Sequence, residues 1–310
     1  MSPMSVIPQL GLVCITASKE VRYCTITRKR LLQLPETEQE EILRNLYAKN
    51  LQRLNLAIDF CLNHELRLYR ITSNLFPFAD TELGEKILNE FNEELLKTGK
   101  RALTVGIRLV VHPDQFVVLS SDKPEVVANS IKILQMHTMI LDKLGLPRSP
   151  WATMEIHGGK SDRSSTLVEV IRNLPEAIRS RLALENDEYA YSAEEILAVC
   201  HQAGVPMVFD AHHHVIHEGL DSYDHPSVAQ MLLNAGTTWP MREWQMVHIS
   251  NGREAFNDRN HSDLIAQMPS SYRNAPWIEV EAKLKEEAIA KLRQEWLPTL
   301  TPTLTSSNGC

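Results

Sequence analysis

The 310-residue chain lacks any apolar run close to the ~18 residues that a membrane-spanning helix needs. Its start, MSPMSVIPQLGLVCI, has no basic segment ahead of an apolar one, which argues against a signal peptide. The five cysteines contain no CxxC pair, so we expect reduced thiols and neither a zinc finger nor a secreted disulfide framework. These absences predict a cytoplasmic protein without membrane contact.

The chain also lacks an excess of positive charge. Its net charge of -7 argues against a protein that coats nucleic acid through overall charge, although a local basic patch stays open. The segment KEVRYCTITRKR, residues 19–30, has five basic residues against one acidic residue, a local net charge of +4. The basic residues are Lys19, Arg22, Arg28, Lys29 and Arg30. The segment is either a solvated loop or a surface that contacts phosphates.

Eight short apolar runs alternate with helical patterns along the chain. They span residues 9–15, 66–72, 108–112, 151–157, 181–186, 206–210, 244–250 and 277–283. Runs rich in Val, Ile and Leu are typical of strands that are covered on both faces in a parallel sheet. Eight such units predict an α/β protein, a single-domain (β/α)8 TIM barrel. The alternative is a doubly wound open sheet, but no Gly-rich phosphate loop follows the first run.

The helical patterns are clearest at residues 36–63 and after Pro124, where the second pattern stops at Gly145. Ser192 with Glu195 three residues later predicts a capping box. We expect an N-terminal arm at residues 1–8, the barrel at 9–296 and a disordered tail at 297–310, which is rich in Pro, Thr and Ser.

Histidines and carboxylates stand where the later apolar runs end. They are His112, His157, Glu185, Asp210, His213, His248 and Glu281, and His261 lies in the loop after the seventh run. The carboxyl ends of all strands meet at one face of a barrel, so these side chains are expected to converge there. Each residue alone could be structural, but together they would be costly to bury without a cation.

Imidazole with carboxylate suits zinc, manganese or iron, whereas calcium or magnesium sites are mostly oxygen. The set is too large for one ion, so it predicts two or three divalent ions. Glu185, on the fifth strand between the histidine groups, is the expected bridging ligand.

The chain resembles the UV damage endonucleases, TIM-barrel enzymes of DNA repair that are related to endonuclease IV and to the xylose isomerase-like barrels. The resemblance covers residues 9–290, through YRITSNLFPF, HPDQF, EIHGGK, LALENDE, VFDAHHH, HSD and VEAKLKE. It implies incision of duplex DNA on the 5′ side of UV photoproducts, which leaves a 3′ hydroxyl and a 5′ phosphate.

The resemblance also assigns residues. The family's metal ligands fall on His112, His157, Glu185, Asp210, His213, His248, His261 and Glu281, and its lesion-probing pair falls on Gln115 and Phe116. Many relatives have tyrosine where this chain has Phe116. Some have a lysine at Met246, and some have a tyrosine and an asparagine at Leu12 and Thr16.

We therefore predict metal-assisted hydrolysis in which Glu185 bridges the ions that activate water, while His213 and His261 hold the ion nearest the departing 3′ oxygen. Glu185, His248 and Lys283 are the expected catalytic residues, and Lys283 is either a phosphate contact or a surface lysine. Lys19, Arg22 and Arg28 would contact the backbone of damaged double-stranded DNA.

Manganese is the expected metal, with zinc or magnesium possible. We expect a monomer without a protein partner. The alternative functions are a metal-dependent sugar isomerase or epimerase, an abasic-site endonuclease of the same superfamily, and a non-enzymatic metal-storing or DNA-binding scaffold.

Overall fold

The computed structural model describes residues 7–114 and 116–297, and a closed barrel of eight parallel strands lies at its centre. The strands are β1 (Gln9–Val13), β2 (Leu68–Ile71), β3 (Arg108–Val111), β4 (Met154–His157), β5 (Leu182–Glu185), β6 (Met207–Asp210), β7 (Met246–Ile249) and β8 (Trp277–Val280). Each strand pairs with the next in sequence, and β8 pairs with β1. The predicted TIM barrel is confirmed, with every strand shorter than the run that predicted it.

Helices follow the strands and cover the outside of the barrel. They are α1 (Arg28–Leu31), α2 (Glu36–Asn63), α3 (Glu82–Asn89), α4 (Asn92–Thr104), α5 (Pro124–Lys143), α6 (Ser164–Asn173), α7 (Glu176–Arg179), α8 (Ala193–Ala203), α9 (Ala211–His217), α10 (Pro226–Gly236) and α11 (Lys285–Glu295). Short 3-10 turns lie at Pro150–Ala152, Arg242–Trp244 and Ser270–Asn274. Within the described residues, no helix is both long enough and apolar enough to cross a membrane.

Local signals set the ends of these helices. Pro124 is the first residue of α5, a position where its missing N–H costs nothing. The predicted capping box is present, because Ser192 accepts from the N–H of Glu195 and the Glu195 carboxylate accepts from the N–H of Ser192. Residues 1–6 of the predicted arm and 298–310 of the predicted tail lie outside the described residues, so both boundaries stay predictions.

Two apolar layers hold the barrel together. The larger one lies between the strands and the helices and includes Leu12, Leu54 and Phe209. The smaller one fills the barrel interior with Leu68, Val110, Ala183, Val208, Trp239 and Met246. Because successive side chains of a strand point to opposite faces, residues two apart share the interior.

That pleat places a charged or polar residue above four of the inner apolar residues, toward the carboxyl ends of the strands. The pairs are Leu68 and Arg70 on β2, Ala183 and Glu185 on β5, Val208 and Asp210 on β6, and Met246 and His248 on β7. The interior is therefore apolar below and ionic above. The ionic layer opens at the face where a TIM barrel carries its chemistry.

Arg108 closes the opposite end of the barrel. Its guanidinium donates to the carbonyl oxygens of Pro150 (2.8 Å), Trp151 (2.9 Å) and Trp244 (2.9 Å). It also lies 5.0 to 5.7 Å from the ring centroids of Trp151, Trp239 and Trp277, within cation–π range. We call Arg108 with these three indoles the tryptophan cage.

Candidate metal centre at the carboxyl end of the barrel

Glu185 lies at the middle of the centre and contacts four histidines. Its Oε2 is 3.0 Å from His112 Nε2 and 3.7 Å from His157 Nε2. Its Oε1 is 2.9 Å from His248 Nδ1 and 3.5 Å from His213 Nδ1. Each carboxylate oxygen therefore lies near two imidazoles, which is the arrangement that a bridging ligand requires.

His112, His157 and Glu185 form a first group whose ligand atoms lie within 4.8 Å of one another. His112 Nδ1 lies 2.9 Å from the carbonyl oxygen of Pro113, and only the protonated nitrogen can bond there. In the neutral imidazole this tautomer keeps the lone pair on Nε2, the nitrogen that faces Glu185, where it could bind a cation. The Nδ1 atom of His157 is buried without a hydrogen-bond partner.

The chain turns sharply directly after His157. Gly159 has φ +86, and a Cβ at Gly158 would lie 2.4 Å from the Tyr191 ring. The Ser120 hydroxyl donates to the carbonyl of Gly158 (2.8 Å) and accepts from the N–H of Lys160 (2.6 Å). These bonds join the loops after β3 and β4 and so hold His112 and His157 side by side.

Glu185, Asp210 and His213 form a second group within the same 4.8 Å limit. Asp210 caps α9, because its Oδ1 accepts from the N–H groups of His212 (2.6 Å) and His213 (2.8 Å). Its Oδ2 is buried and has no hydrogen-bond partner. His213 Nδ1 donates to the carbonyl of Asn186 at 2.9 Å, which leaves its Nε2 available to a ligand.

His261 and Glu281 complete the ring on the β7–β8 side. His261 Nδ1 is 3.8 Å from Glu281 Oε2, and Glu281 Oε1 is 3.7 Å from His248 Nδ1. An isolated bridge between Gly252 and His261 fixes the loop, and the N–H of Glu281 donates to the carbonyl of Ile249 at 2.9 Å. The structure thus brings all eight predicted ligands together.

A second ionic layer lies directly below, and it was not predicted. Glu155, His248 and Glu279 have ligand atoms within 4.8 Å, and His248 Nε2 is 2.7 Å from Glu279 and 3.1 Å from Glu155. The Arg70 guanidinium lies among them, paired with Glu279, 3.7 Å from Glu155 Oε2 and 2.5 Å from Glu281 Oε1. This lower group already contains its cation.

The missed residues had a detectable signal. Glu155 and Glu279 stand two residues before His157 and Glu281, so the strand pleat puts them on the same inner face. Arg70 occupies the matching position on β2, a strand that carries no predicted ligand. A search of each run with a period of two would have found all three.

The charges of the centre shift the pKa values of its members. Burial opposes the charged form of Glu185, but the neighbouring His248 and His157 hold its pKa well below the usual range. Burial likewise opposes the protonation of His213, whereas Asp210 and Glu185 raise its pKa to about 9. Burial and the adjacent Glu279 raise the pKa of Glu155. The described centre is an ionic network whose balance depends on a few positive groups.

The residues fit divalent cations. Four buried atoms of these groups have no hydrogen-bond partner among the described residues: His157 Nδ1, Asp210 Oδ2, Glu155 Oε1 and Glu279 Oε1. The Arg70 guanidinium pairs with Glu155, Glu279 and Glu281, whereas among the described residues Glu185 and Asp210 have no lysine or arginine within ion-pair distance. Buried carboxylates in such excess over fixed cations call for added positive charge.

The other predicted residues lie around the mouth. Phe116 is 69% exposed on the loop after β3, while Gln115 lies outside the described residues. Lys19 and Arg28 are exposed and Arg22 is half-buried, all after β1. Lys283 is half-buried, and its N–H donates to the carbonyl of Ser262 at 3.0 Å.

The positions that differ from relatives lie away from the ligands. Leu12 is buried in the outer apolar layer, and Thr16 accepts from the N–H of Val21 at 3.0 Å to close the loop after β1. Met246 belongs to the inner apolar cluster, two residues below His248. None of the three belongs to the ligand groups described above.

Fold and site define the class of the protein: a TIM barrel with a histidine and carboxylate centre at the face where barrels carry their active sites. The family model described as UV-endonuclease UvdE matches residues 8–303, and the chain belongs to that family. The predicted resemblance is confirmed.

Individual relatives agree with this assignment. The protein named UV DNA damage endonuclease from Nostoc sp. (strain PCC 7120) is 61% identical over 292 residues, which cover 94% of this chain and 91% of the relative. The crystal structure of SacUVDE is 26% identical, with a TM-score of 0.74 over 93% of this chain and 98% of that one. Endonuclease IV from Thermus thermophilus, at 13% identity and a TM-score of 0.57 over 94% of this chain and 98% of that one, shares the fold.

Proposed function

We propose that this chain is a UV damage DNA endonuclease, which hydrolyses the phosphodiester on the 5′ side of UV photoproducts in duplex DNA. The observation that carries the proposal is the contact of Glu185 with four histidines at the barrel mouth of a chain that belongs to the UV-endonuclease family. Incision leaves a 3′ hydroxyl and a 5′ phosphate.

The ligand groups support a set of binding positions. His112, His157 and Glu185 would hold one ion, Glu185 with Asp210, His213 and His248 would take part in holding a second, and His261 with Glu281 would take part in holding a third. Manganese is the metal that we propose, and zinc or magnesium would serve the same positions. Divalent ions supply the charge that activates water and stabilises the phosphoryl oxygens.

The chain's own residues orient this chemistry. His248 holds Glu185 through the 2.9 Å contact at Nδ1, while its other nitrogen is bonded to Glu279 and Glu155 below. Asp210 is fixed in one orientation by its cap on α9, so its free oxygen points to the ligand groups without a search among rotamers. Lys283, on the loop after β8, contacts the phosphate that is cut.

Substrate contacts surround the mouth. Phe116, with Gln115, probes the lesion, because an exposed aromatic ring can stack on the unstacked bases of a damaged dinucleotide. Lys19, Arg22 and Arg28 contact the DNA backbone and supply a local positive charge on a chain whose net charge is -7.

The direct test is an incision assay with metal-depleted protein. The substrates are duplexes that carry one photoproduct, one abasic site or no damage, and manganese, zinc or magnesium is added back. We expect incision 5′ to the photoproduct that depends on the added ion, greatest with manganese. Equal incision of undamaged duplex, or none with any ion, would contradict the proposal, and preference for the abasic duplex would favour the abasic-site alternative.

Lesion probing is tested by Phe116→Ala. Loss of one stacking contact is expected to lower the ratio of damaged to undamaged incision by about tenfold. The metal content should not change, because Phe116 belongs to none of the ligand groups. Leu233→Ala removes a similarly exposed apolar side chain from α10 and serves as the control. An unchanged ratio in the Phe116 variant would remove the wedge role.

A further inference from the structure

The loop after β1 is fastened to the first turn of α11. The Glu286 carboxylate accepts from the N–H groups of Ala17 and Ser18, each at 2.7 Å. Within the loop, Val21 donates to the Thr16 hydroxyl at 3.0 Å. These bonds fix the segment that carries Arg22 against the segment that carries Lys285, at the corner of the mouth where β1 meets β8.

Lys285 holds an unusual position in this corner. Its φ is +42, in the left-handed region that lysine rarely adopts, and its side chain is half-buried. Its ammonium lies near enough to Arg22 and Glu281 for their charges to act on it, and burial lowers its pKa. Among the described residues its ammonium forms no hydrogen bond or ion pair.

Arg22 adds a second positive group with an unused donor. Its Nη1 is buried without a hydrogen-bond partner, although the guanidinium always carries its charge. The hydrogen bonds of Glu286 hold the segments of Arg22 and Lys285 at one corner, where their like charges repel each other. Their combined cost is removed by an anion that accepts from both.

We propose that Arg22 and Lys285 form a phosphate subsite that binds a DNA backbone phosphate next to the scissile one on the incised strand. A phosphodiester fits because its two unbridged oxygens carry one negative charge and accept hydrogen bonds from two donors. Lys285 stands four residues after Glu281, a member of the candidate metal centre, so that phosphate would lie beside the centre. The inference rests on the proposed function and adds Lys285, which the sequence did not indicate, to its DNA contacts.

The test compares Lys285→Met with Lys291→Met, a control at the outer end of α11 where Lys291 lies 3.9 Å from Glu295. Binding of a photoproduct duplex is measured at several salt concentrations, and incision and metal content are measured separately. In Lys285→Met the slope of log affinity against log salt should fall in magnitude by about 1 and binding should weaken about tenfold. Metal content should stay the same, Lys285→Arg should restore the slope, and Lys291→Met should match the unaltered protein.

Two results would overturn the inference. One is a salt slope for Lys285→Met equal to that of Lys291→Met. The other is a loss of bound metal with an unchanged slope, which would make Lys285 a counter-ion of Glu281 instead of a DNA contact. Failure of the proposed function is distinguishable, because an unaltered protein that binds the duplex with the expected slope but does not incise it rejects the activity and leaves the subsite standing.

Discussion

Two buried arginines on neighbouring strands of the same barrel do different work. Arg108, at the start of β3, donates to three carbonyl oxygens and lies against the indoles of the tryptophan cage. Arg70, on β2, is surrounded by Glu155, Glu279, Glu281 and His248. The side chain is the same, and only its acceptors differ.

That difference divides the barrel interior by electrostatics. Burial lowers the pKa of Arg108 to about 9, since neutral carbonyls compensate the charge only in part. Burial also opposes the charge of Arg70, but Glu279 and Glu281 raise its pKa well above the usual range. The carbonyl acceptors of Arg108 do not titrate, so this arginine has a structural role at one end of the barrel. The carboxylate acceptors of Arg70 do titrate, so its interactions depend on the charges of the candidate metal centre above it.

Removing the link between ligand groups should have the largest effect. Glu185→Gln is expected to lower the rate of photoproduct incision by about 10³-fold or more. The amide has no negative charge, whereas the carboxylate presents one oxygen to His112 and His157 and the other to His248 and His213. Metal content per protein should fall, while the tryptophan cage keeps the fold intact. Incision rate, bound metal and thermal unfolding are measured, with Glu194→Gln on the exposed face of α8 as the control. Full incision with unchanged metal content would reject the bridging role.

Replacement of Arg70 should lower the stability of the fold by an amount that depends on pH. In metal-depleted protein, Arg70→Met is expected to lower the free energy of unfolding at pH 7 by about 3–5 kcal/mol, because buried carboxylates lose their partner. Burial opposes the charged form of Glu279, but Arg70 and His248 lower its pKa to about 2, so this carboxylate contributes stability that is fully present above pH 4.5 and is lost as the pH falls through about 2. In the Arg70→Met variant, burial without the guanidinium raises the pKa of Glu279. The carboxyl group is then protonated at a higher pH, and protonation removes the free-energy cost of a buried, unpaired charge.

The loss caused by Arg70→Met should therefore be smaller at pH 5 than at pH 7. Denaturant unfolding at both pH values measures it, and Arg70→Lys, which keeps the charge, should recover part of the stability. A loss that is equal at the two pH values would show that Arg70 acts by packing and not by compensating carboxylates.

Replacement of Arg108 should lower the stability of the fold without changing the metal content. Arg108→Leu is expected to lower the free energy of unfolding by about 3 kcal/mol or more, since buried carbonyl oxygens lose their donors. The loss should be the same at pH 5 and pH 7, because carbonyls do not titrate. Arg172→Leu removes an exposed arginine that also donates to a carbonyl, that of Gln202, and should cost about 0.5 kcal/mol or less. Reduced metal content in folded Arg108→Leu protein would show that Arg108 also supports the metal centre, and would contradict the separation of the two arginines into different roles.

The barrel and the convergence of its strand-end residues could both be predicted from the sequence, because both follow from local patterns of apolar residues. Apolar runs mark strands, and parallel strands in a closed barrel must present their last residues together. Residues such as His112 and Glu185 could therefore be assigned to one site from order alone. Their roles as ligands stay a proposal.

What escaped prediction depends on tertiary closure. Arg108 is the first residue of the apolar run 108–112, and nothing in that run indicates its partners, because the three tryptophans come from distant parts of the chain and meet only in the closed barrel. Arg70 meets Glu279 across 209 positions of sequence, a pairing that no local period reveals. The corner of Arg22 and Lys285 likewise exists only when the first and last strands adjoin.

The pairing of β8 with β1 has a consequence for biosynthesis. Glu279, on β8, and Glu281, directly after it, belong to the last part of the barrel to leave the ribosome, yet they complete the surroundings of Arg70 and His248, which were made earlier. A nascent chain that lacks this strand has neither a closed barrel nor a full set of ligands. The candidate metal centre therefore cannot be complete before β8 has closed the barrel against β1.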